Sequence, residues 1–468
     1  MLPDPEYLPR RMVAERVAFG KSLRSEYPPE VVADWSPGPS RSDPVAILAR
    51  QDRSRIPELV TVRHSRMLLS PLAFFRGGAA VMAADVASAP SPGLRAQLCG
   101  DAHLMNFGLF ETPERTLVFG INDFDETLPG PIEWDIKRLA ASVEIAGRDL
   151  AFTPAQRRTA TLATISAYRR AMLDFAEMRN VDVWYARLPA RELRNRLRTL
   201  SDKESCREVK RRLKQALQHD HIRAFGKLLE VVDGEPRFLS RPPLLMPVES
   251  LLDDEQRERY VEVVRDFLEQ YRSSLAPERR TLMETYRFRD MARKVVGVGS
   301  VGTRAWVVLF TGRDRGDPLL LQLKEAQESV LAPYAGGTEY ELQGQRVVEG
   351  QRLIQAASDH MTGWYQINAW DGLVRDFYVR QLWDGKASIA LAGLTPKGLA
   401  AYGDSCGWTL ARAHARSGDR IAIAAYVGRH AAFEQAFADF AVAYANTNEQ
   451  DIKLLADSVS NGRLRAAS

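Results

Sequence analysis

The residues Gly297-Val298-Gly299-Ser300-Val301-Gly302 form a complete G-x-G-x-x-G, and the residues directly after them restrict the fold more than any other part of the chain. A dinucleotide fingerprint of this form must open a helix. Here the next run, Ala305-Trp306-Val307-Val308-Leu309-Phe310, is β-branched and apolar and reads as a strand. The glycines therefore sit at the bend of a hairpin able to fold over phosphates.

The neighbouring residues extend that hairpin into a small lobe. Leu319–Lys324 reads as its next strand, after the turn-like 311–318. A helix over about 339–357 and two strand-like runs, Trp364–Trp370 and Leu373–Leu382, complete a β-rich unit assigned to 288–389. Upstream, apolar spacing predicts helices between Asp43 and Ser88, broken at Ser70-Pro71 and Gly77-Gly78. Thr153 reads as an N-cap with Pro154 in the first helical position, and helical patterning dominates from there to about Arg287. Helices return from Thr395 through Tyr444. At 468 residues the chain is too long for one core. The expected class is α+β, with a helical lobe (59–287, completed by 390–468) facing the small lobe. The proline-studded segment up to residue 58 is expected to be a peripheral, extended arm.

The residues suited to chemistry cluster in two further places. Gly100-Asp101-Ala102-His103-Leu104-Met105-Asn106 puts an aspartate and an asparagine five positions apart. Phosphoryl transfer needs a carboxylate to orient or deprotonate a hydroxyl and an oxygen ligand nearby for Mg²⁺; Asp101 and Asn106 supply both. The strand-like Leu117–Ile121 then delivers Asn122-Asp123-Phe124-Asp125-Glu126, with Asp123 and Asp125 as hard oxygen donors for the same metal. Lys324, closing a strand after the glycine loop, is placed to reach phosphates. Its carboxylate partner is sought on the following helix, which offers Glu339, Glu341 and Glu349. Glu349 is favoured, and spacing leaves Glu341 open. Phe377–Leu382 becomes the candidate strand against which adenine stacks. The site so assembled takes ATP with Mg²⁺, using Gly297, Gly299, Ser300, Gly302, Lys324 and Glu349 for the nucleotide.

The paired segments GDAHLMNFG and NDFDE resemble the catalytic loop and metal-binding segment of aminoglycoside phosphotransferases and related protein-kinase-like enzymes. GPIEWDIKRL resembles the segment after them, which implies that Asp135 braces the catalytic loop; an N-cap role is the alternative. In those enzymes the glycine loop precedes the catalytic loop, whereas here Gly297 comes after Asp101. A circularly permuted, two-lobed kinase-like fold resolves the inversion. The wider motif set, including GVGSVGTR, LQLKEA and GQRVVEGQR, resembles an uncharacterised bacterial family, number 2252 among the domains of unknown function.

Composition removes several other classes. Lys plus Arg is 64 against 60 for Asp plus Glu, and a net +4 over this length gives no electrostatic case for wrapping nucleic acid. The basic stretch Arg191–Lys214 has leucines at helical spacing and reads as solvated helix faces, with a binding surface for an acidic substrate or phosphates as the alternative. Cys99, Cys206 and Cys406 lie far apart, with no zinc or disulfide spacing, which fits a reducing cytoplasm. No apolar h-region or membrane span is present in the sequence, so no membrane partner is expected. His414 and Asp419 read as helix-end polar residues. The function expected is a phosphotransferase acting on an unidentified hydroxyl acceptor. A nucleotide-binding regulatory protein or a nucleotidyltransferase with the same cleft is the alternative.

Overall fold

A computed structural model describes residues 12–200, 202, 207, 211, 226, 228–295, 297–368, 372–382, 387, 388 and 390–467. The protein is mixed α+β, with several small sheets. Six helices come first: Val13–Glu26, Pro29–Val32, Pro44–Asp52, Pro57–Met67, Pro71–Gly77 and Ala79–Ala87. The breaks at Ser70-Pro71 and Gly77-Gly78 fall where the sequence placed them. The expectation of an extended, peripheral arm fails for the described part. Pro29, Pro44 and Pro57 each occupy the start of a helix. There the missing N–H would have had no intrahelical partner anyway, so these prolines begin helices instead of preventing them. The Val13–Glu26 helix packs on the Arg420–Val427 helix, and Arg16 grips Asp419 at 2.6 Å.

Strands β1 (Arg95–Leu98), β2 (Phe107–Glu111), β3 (Leu117–Ile121) and β4 (Leu128–Pro131) carry the Gly100–Asn106 loop and the acidic segment 122–126. The strands β1 and β4 pair antiparallel, as do β2 and β3. Behind them stands the Ile132–Asp149 helix, buried along almost its whole length. It packs on Pro154–Glu177, Pro396–Ser417 and Ala432–Ser460, which form the main core. Thr153 caps Pro154–Glu177 in a reciprocal capping box with Gln156, as the sequence indicates.

Helices make up most of the described span from Pro154 to Glu284, but short strands interrupt them. A two-residue strand β5 (Leu188–Pro189) edges β3, and β6 (Leu229–Val232) and β7 (Glu235–Phe238) form a hairpin. Its turn, Asp233-Gly234, has both residues at positive φ, +51° and +75°. Asp-Gly between strand-forming residues is a strong hairpin signal, and it was there to be read.

The largest sheet contains β8 (Leu245–Pro247), β9 (Arg287–Lys294), β10 (Ala305–Thr311), β11 (Pro318–Glu325), β12 (Gly363–Asn368) and β13 (Val374–Gln381). Its spatial order is β12-β13-β11-β10-β9-β8, antiparallel throughout. The glycine run lies between β9 and β10, at the bend expected. Alternation sorts the two faces. Trp306, Val308, Leu321 and Leu323 meet Phe267 and Tyr271 of the Asp254–Ser273 helix. Val307, Leu309 and Leu320 meet Leu229 and Phe238 of the β6–β7 hairpin. Both the helix and β8 therefore pack with this sheet and not with the helical core, which corrects the boundary placed at residue 287. Lys324 shares the period of Leu320 and Gln322, so it faces away from the Asp254–Ser273 helix. A short strand β14 (Ala387–Ser388) returns the chain to β2 before the final helices.

Candidate active site

Asp101 and Asn106 occupy the loop between β1 and β2. The Arg138 guanidinium, stacked over the Phe75 ring at 3.9 Å, reaches Asp101 Oδ1 through Nε and Nη2, each at 2.8 Å. Burial alone would raise the Asp101 carboxyl; Arg138, His103 and Arg76 outweigh it and hold it below the usual range. Asn106 Nδ2 donates to the Asp101 carbonyl at 2.8 Å, which fixes the loop's five-residue span. The loop is held from behind by Asp135, whose two carboxylate oxygens accept the backbone N–H groups of Cys99 (2.8 Å) and Gly100 (3.0 Å). Asp135 is no N-cap, since Pro131 holds that position. The bracing role implied by the resemblance matches this geometry. Gly100 sits at φ +83°, where a Cβ would strike the Glu126 carbonyl, so the loop can lie against the acidic segment only with glycine there.

The acidic segment after β3 meets the large sheet. Lys324 Nζ lies 2.5 Å from Asp125 Oδ2 and 3.8 Å from Asp123 Oδ1. The Tyr378 hydroxyl donates to Asp125 Oδ1 at 2.6 Å, and Ser300 Oγ to Oδ2 at 3.4 Å. Burial opposes the Asp125 charge, but Lys324 and Tyr378 outweigh it and hold that carboxyl low. Burial and then Asp125 itself push the Asp123 carboxyl up. Burial would lower the Lys324 ammonium's affinity for its proton; the two aspartates reverse this and raise it. Asp123 thus shares Lys324 with Asp125 at the longer distance, and its charge is the less compensated of the two. Glu126, whose carboxylate accepts from Val330 N at 2.7 Å, is pushed up to about 7, chiefly by burial.

The glycine loop is pinned to the helical part through its carbonyls. Arg66 Nη1 donates to Gly297 O (2.7 Å), Arg55 Nη1 to Val301 O (2.5 Å) and Ile56 N to Gly302 O (2.8 Å). Gly297 and Gly302 have φ of +69° and +90°, in the left-handed region that favours glycine. The result is one cleft of about 270 Å³ lined by Asp101, Asp123, Asp125, Gly299 and Ser300. These residues are about two hundred positions apart along the chain and meet across a single opening.

The family described as uncharacterised protein conserved in bacteria, DUF2252, matches residues 55–458. The chain belongs to that family. No curated protein and no solved structure matches it. In this DUF2252 chain the matched span contains every residue expected at the site, whereas Arg50, Gln51 and Ser54, which also line the cleft, precede it. Among the described residues no helix is long and apolar enough to cross a membrane.

Several expectations change. Glu349 does not reach Lys324; it pairs with Arg352 at 2.7 Å and lines a different surface hollow. Glu339 lines that same hollow, and Glu341 is exposed. The Gln343–Ile354 helix buries Arg346, Val347, Gly350 and Ile354, so the residue aimed at the acidic segment is a cation. The Arg346 guanidinium donates to the carbonyls of Thr127 (2.6 Å), Asp125 (2.9 Å) and Gln327 (2.9 Å). With Asp125 supplying the negative charge, the lysine's partner comes from the opposite side of the cleft.

The strand expected to stack adenine is also already committed. Phe377 stacks on Tyr365 at 5.1 Å, Arg380 bonds Gln322 and the Asn122 carbonyl, and Leu382 packs beside Leu229 and Phe238. His414 is fully buried, bridging Tyr168 (2.9 Å) and Asp135 (3.4 Å). Asp419 caps the Arg420–Val427 helix, as a helix-end residue should. The basic stretch is described continuously only to Leu200, where Leu193 and Leu197 are buried and Arg196 pairs with Glu192; most of the remainder, with Cys206, lies outside the described residues.

Two arginines in the cleft escape sequence reasoning. Arg55 and Arg76 both line it, and each buries an Nε–H with no hydrogen-bond partner. Neither lies in a recognisable motif. Asn122, beside Asp123, likewise buries an Oδ1 with no partner.

The donor set can be weighed against the needs of Mg²⁺. Among the described residues no three His, Cys, Asp or Glu side chains form a metal cluster. Mg²⁺ does not require one, because it commonly takes one or two carboxylates and completes its shell with phosphate oxygens and water. The less compensated Asp123 carboxylate and the orphaned Asn122 oxygen suit that mode. Asp125 has both oxygens engaged by Lys324 and Tyr378.

Proposed function

We propose that this protein is a cytoplasmic, ATP- and Mg²⁺-dependent phosphotransferase with a circularly permuted, two-lobed kinase-like fold, acting on a hydroxyl acceptor. The observation that carries the reading is the Lys324–Asp125 pair at 2.5 Å, with Ser300 of the glycine loop 3.4 Å from the same carboxylate and Asp101 lining the same cleft. The order of parts supports it as well: a glycine bend between β9 and β10, a lysine closing β11, a helix, then β12 and β13.

In this reading Asp123, with the Asn122 side-chain oxygen beside it, would hold Mg²⁺, which supplies charge neutralisation for the triphosphate; Asn106, expected as a ligand, instead ties its own loop through the Asp101 carbonyl. Asp125 positions Lys324 toward the α- and β-phosphates, and Arg76 meets phosphate charge from the far wall. The base lies toward the apolar wall formed by Ile47, Ala79 and Ala80, because the inner face near Leu382 is filled. Asp101, kept anionic by Arg138, orients the acceptor hydroxyl and takes its proton as the oxygen bonds the γ-phosphorus and the β–γ bridging bond breaks, releasing ADP.

The test is ADP formation with Mg²⁺–ATP, comparing wild type with Asp101→Asn. Turnover should fall by roughly 10²–10⁴-fold with nucleotide binding retained. Equal turnover by the two proteins would remove Asp101 from the mechanism.

A further inference from the structure

The segment 461–467, after the Ala432–Ser460 helix, lies along the Pro57–Met67 helix. Ala467 N donates to the Thr61 carbonyl at 3.1 Å, and Ser65 Oγ donates to the Ala467 carbonyl at 2.9 Å. His64, only 1% exposed, is engaged through both ring nitrogens: Nδ1 with the Arg465 carbonyl at 2.6 Å and Nε2 with Asp52 Oδ2 at 2.8 Å. Leu464 joins Met67, Phe74 and Val298 of the glycine run in one small apolar cluster, together with Ile47 of the cleft wall. The same helix reaches the glycine run again through Arg66, which donates to the Gly297 carbonyl. The segment is therefore a strap over the helix that holds the glycine loop.

The two partners of His64 fix its protons. A carbonyl oxygen only accepts, and so does an ionised carboxylate. Burial alone would raise the Asp52 carboxyl, but the His64 hydrogen bond and the Arg63 guanidinium, 2.7 Å from Oδ1, outweigh it and hold it below the usual range. Asp52 is thus an anion, both ring nitrogens must donate, and the ring is the imidazolium. A neutral ring has one N–H and turns a lone pair toward the other acceptor. The charged acceptor holds its donor more strongly, so Asp52 would keep the N–H and the Arg465 carbonyl would face the lone pair. The other charges nearby are committed. Arg63 is on Asp52, Arg55 is attracted by Asp52 and repelled by Arg63, and Glu58 pairs with Arg293. On the strap, Arg463 pairs with Asp43 and Arg465 is exposed. From the helices alongside, Asp451 pairs with Arg41, and Arg76 is drawn to Asp101 and Asp123.

We propose that protonated His64 latches this strap, and that deprotonation of the ring as the pH rises releases it and loosens the glycine loop. Histidine is the side chain suited to such a switch, because it ordinarily changes charge between about pH 5 and 8. The proposal concerns the mobility of the loop and does not rest on the phosphotransferase reading.

Hydrogen exchange of the full chain at about pH 5 and about pH 8, with rates corrected for the intrinsic effect of pH, tests this alongside nitrogen NMR of the histidine rings. At the lower pH both ring nitrogens of His64 should carry protons, and segments 461–467 and 297–302 should be protected. At the higher pH both segments should exchange at least about ten-fold faster, the loss of one charge-assisted hydrogen bond, while the Ile132–Asp149 helix is unchanged. His64→Gln should show the faster exchange at both pH values. If that variant does not fold, the wild-type comparison and Leu464→Ala decide; Leu464→Ala loosens the strap without touching the ring and should speed exchange of 297–302 at the lower pH. A neutral His64 ring at about pH 5, strap exchange independent of pH, or a strap that loosens while 297–302 does not, overturns the proposal.

Discussion

Replacing Asp135 with alanine removes the carboxylate that holds the start of the Gly100–Asn106 loop from behind. Its carboxylate accepts two backbone N–H groups, from Cys99 at 2.8 Å and Gly100 at 3.0 Å, and Asp135 is only 1% exposed. The alanine variant leaves the buried Cys99 N–H and the half-buried Gly100 N–H with no acceptor, and water has little access to the space behind the loop that Asp135 fills. Each orphaned donor costs about 1–3 kcal/mol, so the expected loss is roughly 2–6 kcal/mol. A typical domain has about 5–15 kcal/mol in total, so this is a large share. Asp135→Asn keeps one acceptor oxygen and turns an NH₂ group toward the other donor, and should lose about half as much. Urea denaturation of the three proteins, with m held in common, measures the losses. Native-state hydrogen exchange at the Cys99 and Gly100 amides locates them. An alanine variant within about 1 kcal/mol of wild type, or unchanged protection at both amides, would refute the bracing role.

Glu126 sets a pH dependence. Its folded pKa is raised from 4.5 to about 7, so its contribution to stability is fully present below about pH 4.5 and is lost as the pH rises to about 7. The loss is on the order of 2–3 kcal/mol, and Glu126→Gln should flatten that part of the stability profile; an unchanged slope in the variant would mean the carboxyl titrates normally. Arg346→Leu strips three backbone carbonyls of their donor and should cost about 3 kcal/mol or more in thermal or chemical unfolding. By contrast, Glu349→Gln breaks only a part-exposed pair with Arg352; it should cost less than about 1 kcal/mol and leave nucleotide affinity unchanged. A large loss of affinity in Glu349→Gln would restore it as the partner of Lys324.

How much of the fold and the site is legible in the chain depends on the range of the interaction involved. The glycine bend, the strand ending in Lys324 and the helix breaks at Ser70-Pro71 and Gly77-Gly78 depend on residues within a few positions of one another, and their signals survive in the sequence. The Asp233-Gly234 hairpin was equally local and was masked by the helical spacing on either side. The proline-rich segment misled because a proline that starts a helix and one that prevents it look alike until the neighbouring residues are seen to pack. The partner of Lys324 could not be read at all. Helical spacing offers glutamates, but rotation of the Gln343–Ile354 helix is set by burial of Val347, Gly350 and Ile354, and that rotation presents Arg346. Arg55 and Arg76 became cleft residues only because the connection carrying Arg55 and the helix carrying Arg76 pack onto the glycine loop. No local pattern encodes such a contact.

In the proposed function, a cleft assembled from segments about two hundred residues apart binds the triphosphate through a metal held at Asp123. Calorimetry of ATP binding to wild type and Asp123→Ala, each with and without Mg²⁺, tests it directly. The account predicts tight binding only for wild type with Mg²⁺, with the metal-dependent increment lost in Asp123→Ala while the variant remains folded. Equal ATP affinity in all four titrations would contradict it.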